Sequence, residues 1–272
     1  MEYEIKAKSK FSFGLKELWE YKELFYFFTW RDIKVKYKQT VLGFLWAILQ
    51  PLFMTTVFTL ALGDSISKST SLFIPYPAFA LSGMLLWGIF SGGMSNAANS
   101  MVTNANIIKK IYFPRLIIPI SSILVAFFDF LIAFVVFIGL LLVYKIEINF
   151  SILFLLPISV FITSISAMGC GMLLAALNVK YRDIRYIIPF LIQGLMFLTP
   201  IMYPVNISNN SVLYWILKLN PISGALELMR GIFVGYEINY ETVVLSLIVS
   251  CVLFIIGIVY FRKTENYFAD LA

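Results

Sequence analysis

The sequence predicts an all-α integral membrane protein with six transmembrane helices, and three observations carry that prediction. Of 272 residues, 60% are hydrophobic and only 13% are charged, too few charges to cover a soluble domain of this length. The apolar residues gather in long runs near the ~20 helical residues that cross a hydrocarbon core of ~30 Å. The lysines and arginines, in turn, concentrate in alternate connecting segments.

Taken in order, residues 1–40 form a cytoplasmic and interfacial segment. Residues 1–10 are Lys-rich. The only apolar run near the start, FYFF, is too short for the core of a cleavable signal peptide. Over residues 12–38, Leu18, Tyr21, Phe25 and Phe28 share one helical face, and Lys16, Glu20 and Glu23 another. Trp30, Ile33 and Tyr37 then continue an apolar stripe beside a basic one of Arg31, Lys34 and Lys38. This is the pattern of an amphipathic helix lying in the membrane interface. A helix packed on a partner domain reads the same way, and the two are compatible. Between Lys38 and Asp64 no charge occurs, so the chain enters the membrane just after Thr40.

The spans are expected at about 41–62, 75–98, 116–143, 150–177, 187–203 and 242–261. Four of them carry no charge, the third contains Asp129 as its one charge, and the fifth is short with Pro189 and Pro200. With the N-terminus in the cytoplasm, inside segments hold 17 of the 21 Lys and Arg residues. The excess of basic residues on cytoplasmic loops therefore predicts an N-in, C-in topology, with 41–261 as the six-span region and 262–272 as a cytoplasmic tail. Three connecting segments stand out. TNANIIKKIYFPR at 103–115 is polar, then basic, then stopped by Pro114, and can form a short helix parallel to the membrane. NVKYRDIRY at 178–186 mixes basic and aromatic residues. The outer segment 204–241 is too long for a turn and too apolar for a solvated loop. VLYWILKL and ISGALELMRGIFVG are each expected as a short re-entrant helix, with Asn220 as cap and Pro221 at the first position of the second.

The chemistry available is narrow. Histidine is absent, which removes the commonest general acid/base near neutral pH and the commonest metal ligand. Cys170 and Cys251 lie in apolar runs and read as small hydrophobes. No phosphate-binding glycine loop and no G-x-S-x-G occurs, so neither a catalytic nor a metal site is expected. One intramembrane acid is too little for an ion-driven relay; energy for moving a substrate has to come from a partner that docks on the basic inside loops. The basic balance reads as membrane topology, not nucleic-acid binding. Asp129 has two open readings: a polar group facing a translocation path, or a packing contact, protonated or paired with Ser122 or Asn96. Trp46, Gln50, Phe53 and Val57 form a stripe on the first span that is odd for a lipid face. Flat apolar rings stack on sugars, so a sugar-polymer path is physically reasonable.

The stretch Arg31-Asp32-Ile33-Lys34-Val35-Lys36-Tyr37-Lys38-Gln39-Thr40-Val41-Leu42-Gly43, followed by Trp46 and Gln50-Pro51-Leu52, resembles the entry segment of the permease subunit of bacterial ABC-2 type polysaccharide exporters, the O-antigen and teichoic acid export family. Asn106 through Pro114-Arg115, Tyr181-Arg182-Asp183-Ile184, Pro200-Ile201-Met202-Tyr203-Pro204 and Asn220-Pro221 resemble later segments of that family in the right order. The resemblance covers essentially all of 1–272. It implies a homodimer in the bacterial cytoplasmic (inner) membrane, bound to two copies of a cytoplasmic ABC ATPase that holds ATP and Mg, with no cofactor in this chain. The expected cargo is a lipid-linked polysaccharide, and the chain is not itself an enzyme. Residues expected at the ATPase are Arg31, Asn106, Ile107, Lys109, Lys110, Tyr181 and Arg182. Channel-lining candidates are Trp46, Gln50, Phe53, Trp87, Asp129 and Tyr203, and outer gate candidates are Trp215, Asn220 and Pro221. Two other readings stay open: a permease of the same topology for a drug or small lipid, and a membrane scaffold that moves nothing.

Overall fold

A computed structural model describes residues 15–38, 42–70, 72, 74–181, 183–205 and 211–265. Among them the fold is helical throughout, apart from one isolated bridge between Ile148 and Phe233. Eleven helices follow one another: α1 (Leu15–Glu20), α2 (Lys22–Lys38), α3 (Leu45–Thr70), α4 (Tyr76–Thr103), α5 (Ala105–Ile108), α6 (Ile117–Val143), α7 (Ile152–Lys180), α8 (Ile184–Phe197), α9 (Ser211–Lys218), α10 (Ser223–Arg230) and α11 (Tyr240–Thr264). In a hydrocarbon medium each backbone polar group needs an internal partner, and the helix supplies it for every residue of a long apolar run.

Among the described residues, five helices are long and apolar enough to cross a membrane: Leu45–Lys68, Tyr76–Thr103, Ile117–Val143, Ile152–Lys180 and Tyr240–Thr264. The expected fifth span is instead the 14-residue α8, which reaches about 21 Å at 1.5 Å per residue. After it the chain turns at Thr199–Met202, and the Tyr76 hydroxyl donates to the Met202 carbonyl at 3.1 Å. The first span runs on past Asp64 and Lys68, because a helix does not have to stop where the hydrocarbon does.

α4 is the centre of the bundle: 78% of its most apolar stretch is buried, against 6% for α3. Small residues let its neighbours approach. A Cβ on Gly93 would lie 3.4 Å from Ala167 of α7 and 3.8 Å from Ala126 of α6; one on Gly171 would lie 2.7 Å from Ala97. α7 and α11 come closer still. A Cβ on Gly257 would stand 2.2 Å from the Gly169 carbonyl oxygen, and one turn along the same seam the hydroxyls of Ser166 and Ser250 meet at 2.7 Å. Close backbone packing over Gly and Ser is how membrane helices associate without a hydrophobic drive.

α10 is assigned from Ser223, with Ile222 before it, and Asn220 caps the turn of Pro221 and Ile222 that leads into it. Its Oδ1 accepts from the Ile222 backbone N–H at 3.0 Å, while its Nδ2 donates to the Leu198 carbonyl and Thr199 Oγ1 at 3.1 and 3.0 Å. The amide thus ties the α9–α10 turn to the end of α8. Pro221 lies in that turn, and its carbonyl oxygen is surrounded by the hydroxyls of Ser246, Ser250 and Ser166 at 2.6, 3.0 and 3.3 Å. Ser166 stands at the middle of the 29-residue α7, so the turn reaches half-way down the bundle.

Candidate functional site

The expected partner-facing residues gather at one end of the bundle. The Arg31 guanidinium of α2 donates to Asn104 Oδ1 at 2.7 Å, just beyond α4, and pairs with Asp32 at 2.7 Å. The Asn178 amide of α7 donates to the Ala98 carbonyl at 2.9 Å, which fixes the last turn of α7, and with it Tyr181, beside the last turns of α4. Between α4 and α6 the chain forms the single-turn helix α5, so the loop at 103–115 is less helical than its composition allows. Asn106, Lys109 and Lys110 are exposed there and Ile107 is half-buried. Ile111 and Tyr112 are 63% and 74% exposed. Residues 108–113 and Arg115 line an open depression of about 180 Å³. Exposed cations around exposed apolar side chains suit a protein surface carrying acidic groups. Tyr181 is half exposed, with Lys180 Nζ 5.0 Å from its ring centre. Arg182 lies outside the described residues, as do residues 1–14 of the interfacial segment, 39–41 of the entry segment and 266–272 of the tail.

The channel candidates do not form one group. Trp46, Gln50 and Phe53 share the open side of α3, with Trp46 and Phe53 55% and 66% exposed. Trp87 is a core residue instead, packed on Phe90 with ring centres 5.6 Å apart. Tyr203 follows α8, and its hydroxyl donates to the Phe197 carbonyl. Among the gate candidates, Trp215 is half exposed on α9, and Lys218 Nζ lies 5.3 Å from its ring centre. The same ammonium pairs with Glu241 at 2.7 Å. Asn220 and Pro221 hold the turn between α9 and α10 in place.

Asp129 is paired, but with neither Ser122 nor Asn96. The Ser122 hydroxyl donates to its own helix, at the Ile118 carbonyl. The Asp129 carboxylate binds the Lys36 ammonium through one oxygen and the Tyr37 hydroxyl through the other. Both partners come from α2, which runs along α6 in the same direction. Burial, with the carboxylate beside it, pushes the Tyr37 phenol above its ordinary range and keeps it a donor. Lys36 and Tyr37 were not among the expected site residues. The signal was there in part: a lone acid in an apolar helix calls for a cation, but nothing local says which one.

A second buried cluster was also missed. Arg230 of α10 is fully buried, donates to the carbonyls of Pro200 and Ile201 at 2.9 and 2.8 Å, and stacks 3.7 Å from the Phe79 ring centre. Glu227, one turn before it, accepts from the Tyr236 hydroxyl at 3.2 Å and the Asn239 backbone N–H at 3.3 Å. The three-residue spacing of two opposite charges inside an apolar stretch was the available sign.

Comparison with known proteins adds what geometry alone lacks. The family pattern described as ABC-2 type transporter matches residues 23–234. The O-antigen export system permease protein RfbA of Klebsiella pneumoniae is 30% identical over 245 residues, covering 89% of this chain and 92% of that protein. RfbA of Myxococcus xanthus is 26% identical over 262 residues, 94% of this chain and 98% of that one. The polysialic acid transport protein KpsM of Escherichia coli is 27% identical over 249 residues, 87% and 91% of the two chains.

Proposed function

The chain belongs to the ABC-2 type transporter family, and from that premise we propose that it is the membrane subunit of an ATP-driven exporter of a lipid-linked polysaccharide. It is a multi-pass integral protein of the bacterial cytoplasmic (inner) membrane and a transport subunit, not an enzyme. One observation carries the substrate class: relatives matching 87–94% of the chain are named for O-antigen export and polysialic acid transport.

In this reading α3, α4, α6, α7, α8 and α11 are the six spans, with both termini in the cytoplasm. The charge distribution supports that orientation, since it leaves 17 of 21 basic residues inside. α8 is completed as a span by the turn that Asn220 ties to its end. α9 and α10 are re-entrant from the outer surface, a reading supported by the Pro221 carbonyl lying at the midpoint of α7. Two copies assemble about a two-fold axis, the commonest symmetry of closed oligomers. The scant cover of α3 within one chain favours its open face as the side turned to the second copy and the path. Trp46 and Phe53 then offer flat apolar surfaces to sugar rings, and Gln50 offers an amide to their hydroxyls. Two copies of a cytoplasmic ATPase bind ATP and Mg and press on the end built from Arg31, Asn106, Ile107, Lys109, Lys110 and Tyr181.

The docking half of the proposal is tested by reversing charge at the exposed loop. Lys109→Glu with Lys110→Glu is expected to leave the protein's level in the membrane unchanged, because both side chains are exposed. It should cut recovery of the ATPase on co-purification at least about tenfold, as loss of charge complementarity at an interface does. Unchanged recovery would remove this loop from the docking surface.

A further inference from the structure

The cluster of titratable side chains that the exporter reading leaves unused is the one joining α2 to α6. Asp129 is the only acidic residue of α6, and it lies twelve residues beyond Ile117, about 18 Å along the helix. It is therefore far from the cytoplasmic end where the partner is expected. Its side chain is 24% exposed and that of Lys36 44%. Lys36 and Tyr37 are consecutive residues of α2, and each takes a different oxygen of the same carboxylate. Two such contacts fix both the rotation of α2 and its height on α6, whereas a single surface ion pair would hold neither. The Tyr37 ring also meets the Phe128 ring edge-on, with centres 6.0 Å apart.

The other end of α2 is held separately. Phe28 is buried against Phe113, ring centres 5.6 Å apart, and Arg31 reaches Asn104. From Phe28 to Tyr37 the helix rises about 13.5 Å, so it is clamped at its lower part to the ends of α4 and α6 and at its upper part to the body of α6. Just before α3 stands Gly43, whose φ of +49° only glycine adopts readily. A Cβ there would lie 3.6 Å from the Tyr37 carbonyl. α2 thus touches the middle of α6 and ends beside the turn that precedes α3.

We infer that Asp129 is a positioning residue that locks α2 against α6, making α2 a strut that carries movement from the partner-facing end directly to the middle of α6 and the base of α3. This rests on the exporter reading. Its mechanical content is that movement of the loop after α4 is not the only route into the spans. A residue that merely stabilised the fold would change how much protein is present, not how much cargo moves for each ATP hydrolysed.

The test uses the complex of this chain with its ATPase, and it compares Asp129→Lys, Lys36→Asp and the double exchange. Polymer exported per ATP hydrolysed is expected to fall about tenfold in each single variant, within the range of coupling energies between sites. Protein level and ATP hydrolysis should stay near wild type, and the exchange should recover most of the loss. A second arm reads the joint itself. Ile33 is half-buried on α2 one turn before Tyr37, so Ile33→Cys, with Cys170→Ala and Cys251→Ala, places a partly protected thiol beside the joint. A membrane-impermeant maleimide should label it faster when Asp129→Lys is added and slowly again in the double exchange. The inference is overturned by unchanged export per ATP in the single variants, by a double exchange no better than either, or by labelling that Asp129→Lys does not alter. A wild-type complex that hydrolysed ATP and exported no polymer would refute the exporter reading, while the labelling would still decide whether the joint exists.

Discussion

Arg230→Ala is expected to lower the stability of the protein by about 3–5 kcal/mol, because two hydrogen bonds from a buried cation, each worth roughly 1.5–3 kcal/mol, are lost. The substitution strips the donor from two carbonyls, Pro200 and Ile201, in the turn that follows α8. It leaves Glu227 buried at 5% exposure with only the Tyr236 hydroxyl and the Asn239 N–H facing it. It also removes the cation from the Phe79 ring. The expected measurement is a lower thermal midpoint in detergent and a lower level in the membrane. Arg230→Lys keeps the charge but neither the forked geometry nor the planar stack, and should recover only part of the loss. Arg230→Met combined with Glu227→Gln keeps most of the buried volume and leaves no uncompensated charge, and should be more stable than Arg230→Ala. Equal stability of Arg230→Ala and wild type would show that the cluster is not what joins α10 to the end of α8.

The second large effect is expected at the α7–α11 seam. Gly257→Leu forces a side chain into the Gly169 backbone, where even a Cβ would stand 2.2 Å from the carbonyl oxygen. The obstructing atoms are backbone, so the helices have to separate. Overpacking usually costs about 1–3 kcal/mol, and here the Ser166–Ser250 contact and the hydroxyls around Pro221 go with it. Gly139→Leu is the control: no heavy atom lies within 4 Å of the Cβ position there. Gly257→Leu should abolish accumulation of folded protein while Gly139→Leu leaves it near wild type. Similar levels for the two would mean that the close approach is not needed.

These two sites mark where sequence reading ran out. The spans were legible because hydrocarbon thickness sets the length of an apolar run. The third span, expected at 116–143, is the helix Ile117–Val143, and the fourth, expected at 150–177, is Ile152–Lys180. The shortness of α8 was hinted at by Pro189 and Pro200, but its end is set by tertiary bonds from Asn220 that no local pattern reveals. Gly169 and Gly257 look like any other glycine in an apolar run; only the crossing of two helices separates them from Gly139. Asp129 was recognised as the costly residue in its helix, while its partners were sought on neighbouring spans. They are 93 and 92 residues away on the amphipathic helix, where Tyr37 belongs to the apolar stripe and Lys36 to neither stripe. Trp87 shows a second limit: a tryptophan suited to a sugar-binding path is equally suited to a core, and within one chain it is buried at 6% exposure.

The claim that this chain carries a polysaccharide out of the cytoplasm is tested most directly in cells lacking it, by labelling the surface polymer on intact cells and the total polymer after permeabilisation. The expected result is loss of surface polymer with accumulation inside, reversed by the wild-type chain only when the partner ATPase can hydrolyse ATP. Normal surface polymer in the deletion strain would contradict the account.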